Sequence, residues 1–259
     1  MIDVLFMGRK AVAADCLAWL IGRPDVRVVG VLTDNHLAVS PTSDVARAHG
    51  IPILDWHEAR AAASRRTLSF DLGISVLFWR RIHEDLISIP KRGIINFHPA
   101  PLPEYKGTAG YNVAILEGRD TWATSAHYID TSIDTGPIIE VRSFSIDPAH
   151  DTAQTLEAAT RDVIHASFMH VVSDALRCDT LLPTTPNIGG RYISREEMEA
   201  MKRIHPGDDV ARKVRAFFFP PYDGAYLEID GTRYTLINRE ILQSLADPSA
   251  STLFTPESC

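Results

Sequence analysis

The sequence predicts an α/β protein with a mostly parallel sheet, joined to a small C-terminal subdomain that contains a β-hairpin. Three observations point there. Apolar strand-like runs alternate with amphipathic segments from the first residues onward. The short run Gly93-Ile94-Ile95-Asn96-Phe97 ends on polar side chains. Beyond Asp179 the texture changes to prolines and glycines, before two alternating runs that flank Asp230-Gly231.

Taken in order, Val4-Leu5-Phe6-Met7 reads as a strand, residues 10–21 as a helix, Val26 to Leu32 as a second strand, and residues 43–49 as a helix ending at Gly50. A helix over about 56–67 precedes Phe70 to Phe78, a run apolar enough for a central strand. The strand at 93–97 follows. Open α/β sheets bind ligands beyond the carboxyl ends of their strands, which puts Asn96 and His98 at a site. After a proline-rich loop at 99–107, residues 108–118 read as a helix, and two strands at about 123–129 and 137–145 enclose the tight polar loop Asp130 to Gly136. Residues 151–177 carry Leu156, Ala159, Val163, Phe168, Val171, Val172 and Leu176 at helical spacing, with Asp151 and Thr152 as N-cap candidates. This helix is expected to close a first domain over 1–180. The remaining 181–259 would hold a short helix at 194–202, the hairpin of Ala225 to Ile229 and Arg233 to Ile237, and a loose tail over the last dozen residues.

Composition narrows the class. With 45% hydrophobic and 23% charged residues, the 259-residue chain resembles an ordinary globular protein, and no apolar run is long enough to span a membrane. Asp3 stands where a signal peptide would be basic, and Arg9 and Lys10 cut the first apolar stretch short, so a cytoplasmic location is expected. Cys16, Cys178 and Cys259 are too scattered for a zinc site or a disulfide framework, and no metal is expected. A net charge of -7 favours small-molecule substrates over nucleic acid as the main partner.

The most informative stretch is Asn96-Phe97-His98-Pro99-Ala100-Pro101-Leu102-Pro103-Glu104-Tyr105-Lys106-Gly107, followed later by Asp134-Thr135-Gly136. One residue apart on an extended backbone, Asn96 and His98 point to the same side, so an amide donor and an imidazole share one pocket. Asp-Thr-Gly is also the signature of aspartic proteases, but those need two carboxylates sharing a proton, and a second copy is missing from this sequence. Met7-Gly8-Arg9 follows a strand as in dinucleotide-binding domains, yet the glycine fingerprint is incomplete, which speaks against an oxidoreductase.

With Asn-x-His-Pro, Leu-Pro-x-Tyr-x-Gly and Asp-x-Gly in this order, the chain resembles the folate-dependent formyltransferase family, and most of all the nucleotide-sugar N-formyltransferases. The resemblance covers roughly 1–180 and implies a Rossmann-like formyltransferase domain with N10-formyltetrahydrofolate as formyl donor. Formyl transfer to an amine passes through a tetrahedral oxyanion and requires the nitrogen to lose a proton. The resemblance implies that Asn96 binds the oxyanion, that His98 takes the proton or stabilises the oxyanion, and that Asp134 fixes the histidine and relays the proton.

Around this centre the resemblance implies folate contacts from Phe78, Trp79 and Arg80, together with Gly107, Ile129 and Asp130. Acceptor contacts are expected from Tyr105, Lys106, His127 and Tyr192. For Lys106 the alternative is a solvated lysine, and for His127 a satisfied core residue. The run Phe217-Phe218-Phe219-Pro220-Pro221-Tyr222 would supply apolar surface for a domain or subunit interface, and a homodimer is expected. The acceptor expected is the primary amine of a nucleotide-linked amino sugar. Another small amine such as hydroxyornithine, hydrolysis of the formyl-folate by water, and a non-catalytic ligand sensor are the alternatives.

Overall fold

The computed structural model describes residues 1–245 apart from Asn35 and Ala109. Strand β1 (Ile2–Gly8) leads into helix α1 (Lys10–Ile21) and strand β2 (Val26–Leu32), then α2 (Pro41–Ala48), α3 (Trp56–Ser64), β3 (Leu72–Val76), α4 (Glu84–Ile87) and β4 (Ile94–His98). Next come β5 (Tyr105–Gly107), α5 (Tyr111–Leu116), β6 (Thr121–Tyr128), β7 (Ile138–Ser145) and the long α6 (Ala153–Arg177). The chain continues through β8 (Arg191–Ile193), α7 (Arg195–Ala200), α8 (Val210–Phe217), β9 (Tyr226–Ile229), β10 (Thr232–Thr235) and α9 (Arg239–Ser244).

Local chemistry sets the boundaries. Ser40 caps α2 by accepting the Ser43 N–H, and Pro41 opens the helix without sacrificing a bonded donor, so the helix starts two residues before the expected 43. Thr152 and Thr155 form a reciprocal capping box that starts α6. The helix expected over 108–118 is confined to 111–116. The expected hairpin is present: Asp230 and Gly231 both adopt positive φ between β9 and β10, as a two-residue turn requires. The expected tail and Cys259 lie outside the described residues, while Cys16 and Cys178 are free thiols.

Six strands form the main sheet in the order β2-β1-β3-β4-β6-β7. Pairing is parallel through β4 and antiparallel at β6 and β7. Alternation along β1 sends Val4 and Phe6 to one face, where α1 and α6 cover them with Leu17, Leu20, Phe168 and Val172, and sends Leu5 and Met7 to the other, against Trp56, Phe70 and Leu86. Each fully buried side chain of this size contributes ~1.5–3 kcal/mol. The α/β expectation therefore holds, with two antiparallel strands at one edge.

A second core collects residues from before and after position 180: Tyr105, Val113, Trp122 and Leu156 pack with Ile193, Met198, Val214 and Phe217. The run expected at a domain or subunit interface serves the first role in part: Phe217 and Phe218 are buried within their own chain, where α8 lies against α5, and Phe219 lines the cleft, while Tyr222 is exposed. Among the described residues no helix is long and apolar enough to cross a membrane, and no cluster of His, Cys, Asp or Glu has metal-binding geometry.

Candidate active site

The sheet order reverses between β1 and β3, and the carboxyl ends of β1, β3 and β4 open there into a cleft of about 700 Å³. Asn96 and His98 reach it from the last turns of β4. Asp134 arrives on the loop after β6, held at a left-handed φ of 53° that an aspartate tolerates better than most residues. Gly136 allows that loop to close: a Cβ there would lie 1.8 Å from the Tyr128 carbonyl oxygen. Asn187, from the segment after α6, donates to the backbone carbonyls of Asp134 (3.0 Å) and Gly136 (2.8 Å).

Hydrogen bonds fix the protonation pattern. His98 Nε2 lies 2.9 Å from the Tyr105 carbonyl, which only accepts, so Nε2 carries the hydrogen and Nδ1 keeps its lone pair 3.5 Å from Asp134 Oδ2. Burial lowers the His98 pKa below its ordinary 6.5, with the opposing charge of Asp134 insufficient to offset it. The imidazole is thus neutral at pH 7. Burial also raises the Asp134 carboxyl, but in the acid range where it titrates the positive charge of the histidines beside it and the Gly107 N–H at 2.9 Å outweigh that and bring it to about 2. Asp134 is therefore an anion beside a neutral imidazole.

Asn96 is aimed from both sides. Its Oδ1 accepts the Ser75 hydroxyl at 2.7 Å, and its Nδ2 lies 3.0 Å from His127 Nε2. His127 Nδ1 donates to the Tyr128 carbonyl at 2.8 Å, which leaves Nε2 as an acceptor. Asn96 Nδ2 keeps one hydrogen free, on a half-buried side chain at the cleft wall.

The other expected site residues divide. Phe78, Trp79, Arg80, Gly107, Ile129, Asp130, His127 and Tyr192 all line the cleft. Phe78 and Trp79 touch in a tilted arrangement with ring centroids 4.9 Å apart, and the Arg80 guanidinium lies 5.5 Å over the Trp79 ring. With Ile82, Ile129 and Arg81 they form a wall that fits a flat heteroaromatic ring carrying an anionic tail. Asp130 is partly occupied at home, accepting from Ser132 N and Thr135 Oγ1. Tyr192 lies beside Gly107, where a Cβ would meet its ring at 2.5 Å.

Tyr105 and Lys106 are corrected, because neither lines the cleft. The Tyr105 hydroxyl turns away to Glu117 and Arg119, and only its backbone carbonyl serves the site. Lys106 is neither solvated nor free for a phosphate: it is 8% exposed and donates to the Gly189 carbonyl at 2.6 Å. The pairing of β5 with β8 fixes both directions, since these adjacent side chains point to opposite faces of the short strand. His127 proves to be both a satisfied histidine and a member of the site. Ser75, Asn187, Tyr111, Lys10 and Phe219 were not anticipated. Ser75 was open to inference as the neighbour of Asn96 across paired central strands, whereas Asn187 carries no such signal.

Comparison with known proteins bears on the family and the fold. A methionyl-tRNA formyltransferase of Geobacter metallireducens is 28% identical over 95% of this chain and 82% of its own length. Two solved structures share the fold: an N-formyltransferase of Helicobacter canadensis, in complex with folinic acid and dTDP-3-aminofucose, superimposes with a TM-score of 0.73 at 23% identity, covering 90% of this chain and 86% of that one. A 4-N formyltransferase of Francisella tularensis gives 0.75 at 18% identity, over 91% and 96%. The family model described as formyl transferase matches residues 26–172, more than half of the chain, which therefore belongs to the formyl transferase family.

Proposed function

We propose that this chain transfers the formyl group of N10-formyltetrahydrofolate to the primary amine of a nucleotide-linked amino sugar, with Asn96, His98 and Asp134 at the chemical centre. The donor supplies an electrophilic carbonyl carbon, to which the acceptor nitrogen adds. Asn96 directs its free Nδ2 hydrogen at the oxygen that gains charge, an interaction of roughly 3–4 kcal/mol in barrier terms. His98 takes the proton shed by the nitrogen at Nδ1, since Nε2–H is committed to Tyr105. Asp134 stabilises the imidazolium so formed from 3.5 Å. The same Nδ1 then returns the proton to the departing folate nitrogen, so the charge balance of the site is restored. Phe78, Trp79, Arg80, Ile129 and Asp130 would hold the folate.

The observation that carries the acceptor class is the far half of the cleft. Tyr192, Phe219 and Tyr222 offer ring faces and Arg195 a cation, beside Lys10 and Lys202, which pair with Glu157 and Glu199, in a chain whose net charge is -7. Rings for a base and a few local cations for a diphosphate suit a nucleotide sugar, whereas a tRNA calls for a broad basic face. Methionyl-tRNA is the second reading, favoured by the sequence identity to enzymes of that name.

Folate absorbance would be followed with dTDP-3-aminofucose, further nucleotide-linked amino sugars, hydroxyornithine, methionyl-tRNA and no acceptor. Turnover with one amino sugar, abolished by Asn96→Ala, His98→Ala and Asp134→Ala, is the expected result. Turnover with methionyl-tRNA alone, or with water alone, would replace the acceptor with that substrate.

A further inference from the structure

We infer that His127 is a positioning residue, which acts by aiming the Asn96 amide through its unprotonated Nε2. The inference rests on the reading of Asn96 as the oxyanion donor.

An asparagine amide can present either its NH₂ or its oxygen, and the two orientations occupy nearly the same space. Only the first stabilises a developing negative charge. Ser75 cannot choose between them, because a hydroxyl both donates and accepts. The choice falls to the partner on the other side. Asn96 and His127 are directly opposed across the antiparallel pair β4 and β6, so their side chains meet on one face of the sheet. His127 Nδ1 is 2.8 Å from the Tyr128 carbonyl, an obligate acceptor, which requires the hydrogen on Nδ1. An amide nitrogen only donates, so Nε2, 3.0 Å from Asn96 Nδ2, faces it with its lone pair. That lone pair accepts only from the NH₂ group, and so it selects the orientation with an N–H facing the cleft.

Asp134 Oδ1 is 3.5 Å from the same nitrogen. Asn96 Nδ2, at 3.0 Å, is the nearer of the two and the specific partner of Nε2. His127 is 2% exposed and both of its ring nitrogens are engaged within the chain, so its role is to aim Asn96 rather than to hold the acceptor.

Two measurements test this. The ¹⁵N resonances of His127 should show Nδ1 protonated and Nε2 not, in the wild-type protein near neutral pH. A protonated Nε2 would overturn the inference without any variant. In kinetics, His127→Leu should lower kcat about 10²-fold, the scale of one misdirected oxyanion donor, with KM for both substrates nearly unchanged. His127→Gln, whose Oε1 can accept near the Nε2 position, should recover most of the rate and guards against loss of folding in the leucine variant. In an Asn96→Ala background, replacing His127 should change kcat less than about threefold, since there is no amide left to aim. Losses that multiply in the double variant would mean that His127 works through Asp134 or the substrate, and the inference fails. If Asn96→Ala alone left kcat intact, the reading of Asn96 itself would fall, a result distinct from the previous one.

Discussion

Gly136→Ala is expected to disable the site without touching any group that performs chemistry. A Cβ at this position would stand 1.8 Å from the Tyr128 oxygen and 2.8 Å from its carbonyl carbon, where approaches under 3.0 Å are essentially never found. The two backbone segments must separate by at least about 1.2 Å, since neither is a flexible side-chain end. Gly136 is two residues from Asp134, whose carboxylate spans the Gly107 N–H and two imidazoles. Tyr128 supplies the carbonyl that accepts from His127. A displacement of this size within a catalytic constellation costs about 10²-fold in rate, or roughly 2.7 kcal/mol of barrier. The assay is initial-rate formyl transfer by folate absorbance, paired with a thermal melt to establish that the variant is folded. A folded Gly136→Ala protein with kcat within about threefold of wild type would refute the reasoning, because the loop would then not need to close as described.

Three further predictions follow from the same geometry. The rate at saturating substrate should rise with pH through a value below 6.5 and then level off, because His98 must be neutral to take a proton and burial holds its pKa down; a rise centred above 6.5 would contradict this. Asp134, at about 2 against an ordinary 3.8, adds about 2 kcal/mol of stability that is complete above 3.8 and disappears as pH falls through about 2. Denaturant unfolding of Asp134→Asn should therefore show a flatter pH dependence in that window than wild type does. Lys106→Met keeps the aliphatic stem and leaves the Gly189 carbonyl without its charged donor, so stability should drop by about 2 kcal/mol while the KM for a phosphate-bearing acceptor stays the same; a large rise in that KM would return Lys106 to the acceptor site.

The sheet was legible because its strands are long apolar runs separated by well-marked turns. Asn96 and His98 could be grouped because they lie on one strand end, whereas Asp134, in a short turn sequence, joined them only through the resemblance to the family's ordered motifs. What escaped was short or shared. Strands β5 and β8 have three residues each, too few for alternation to register, and each exists only because the other pairs with it. That pairing decides where Tyr105 and Lys106 point, so their roles could not be read from the motif that contains them. Helix α8 did carry a signal, with Asp209 as its cap and Val210, Val214 and Phe217 at helical spacing, but the aromatic run at its end drew the eye to an interface instead. The double role of His127 depends on register across two antiparallel strands, which no local pattern encodes.

The segment from Thr185 to Ile193 stitches the two motif loops together. Thr185 pairs with Ile138, Asn187 holds the Asp134 turn, Gly189 receives Lys106, and Arg191 to Ile193 run beside Tyr105 to Gly107. Tyr192, on the same segment, also faces the half of the cleft proposed for the acceptor. The proposed acceptor contact and the alignment of the two loops thus share one stretch of chain that lies beyond the residues matched by the family model. An exchange of C-terminal segments between relatives, made to alter the acceptor, would carry a kinetic penalty unless the incoming segment rebuilt these ties. Drift in acceptor preference is constrained for the same reason, since any change here must keep both loops in register.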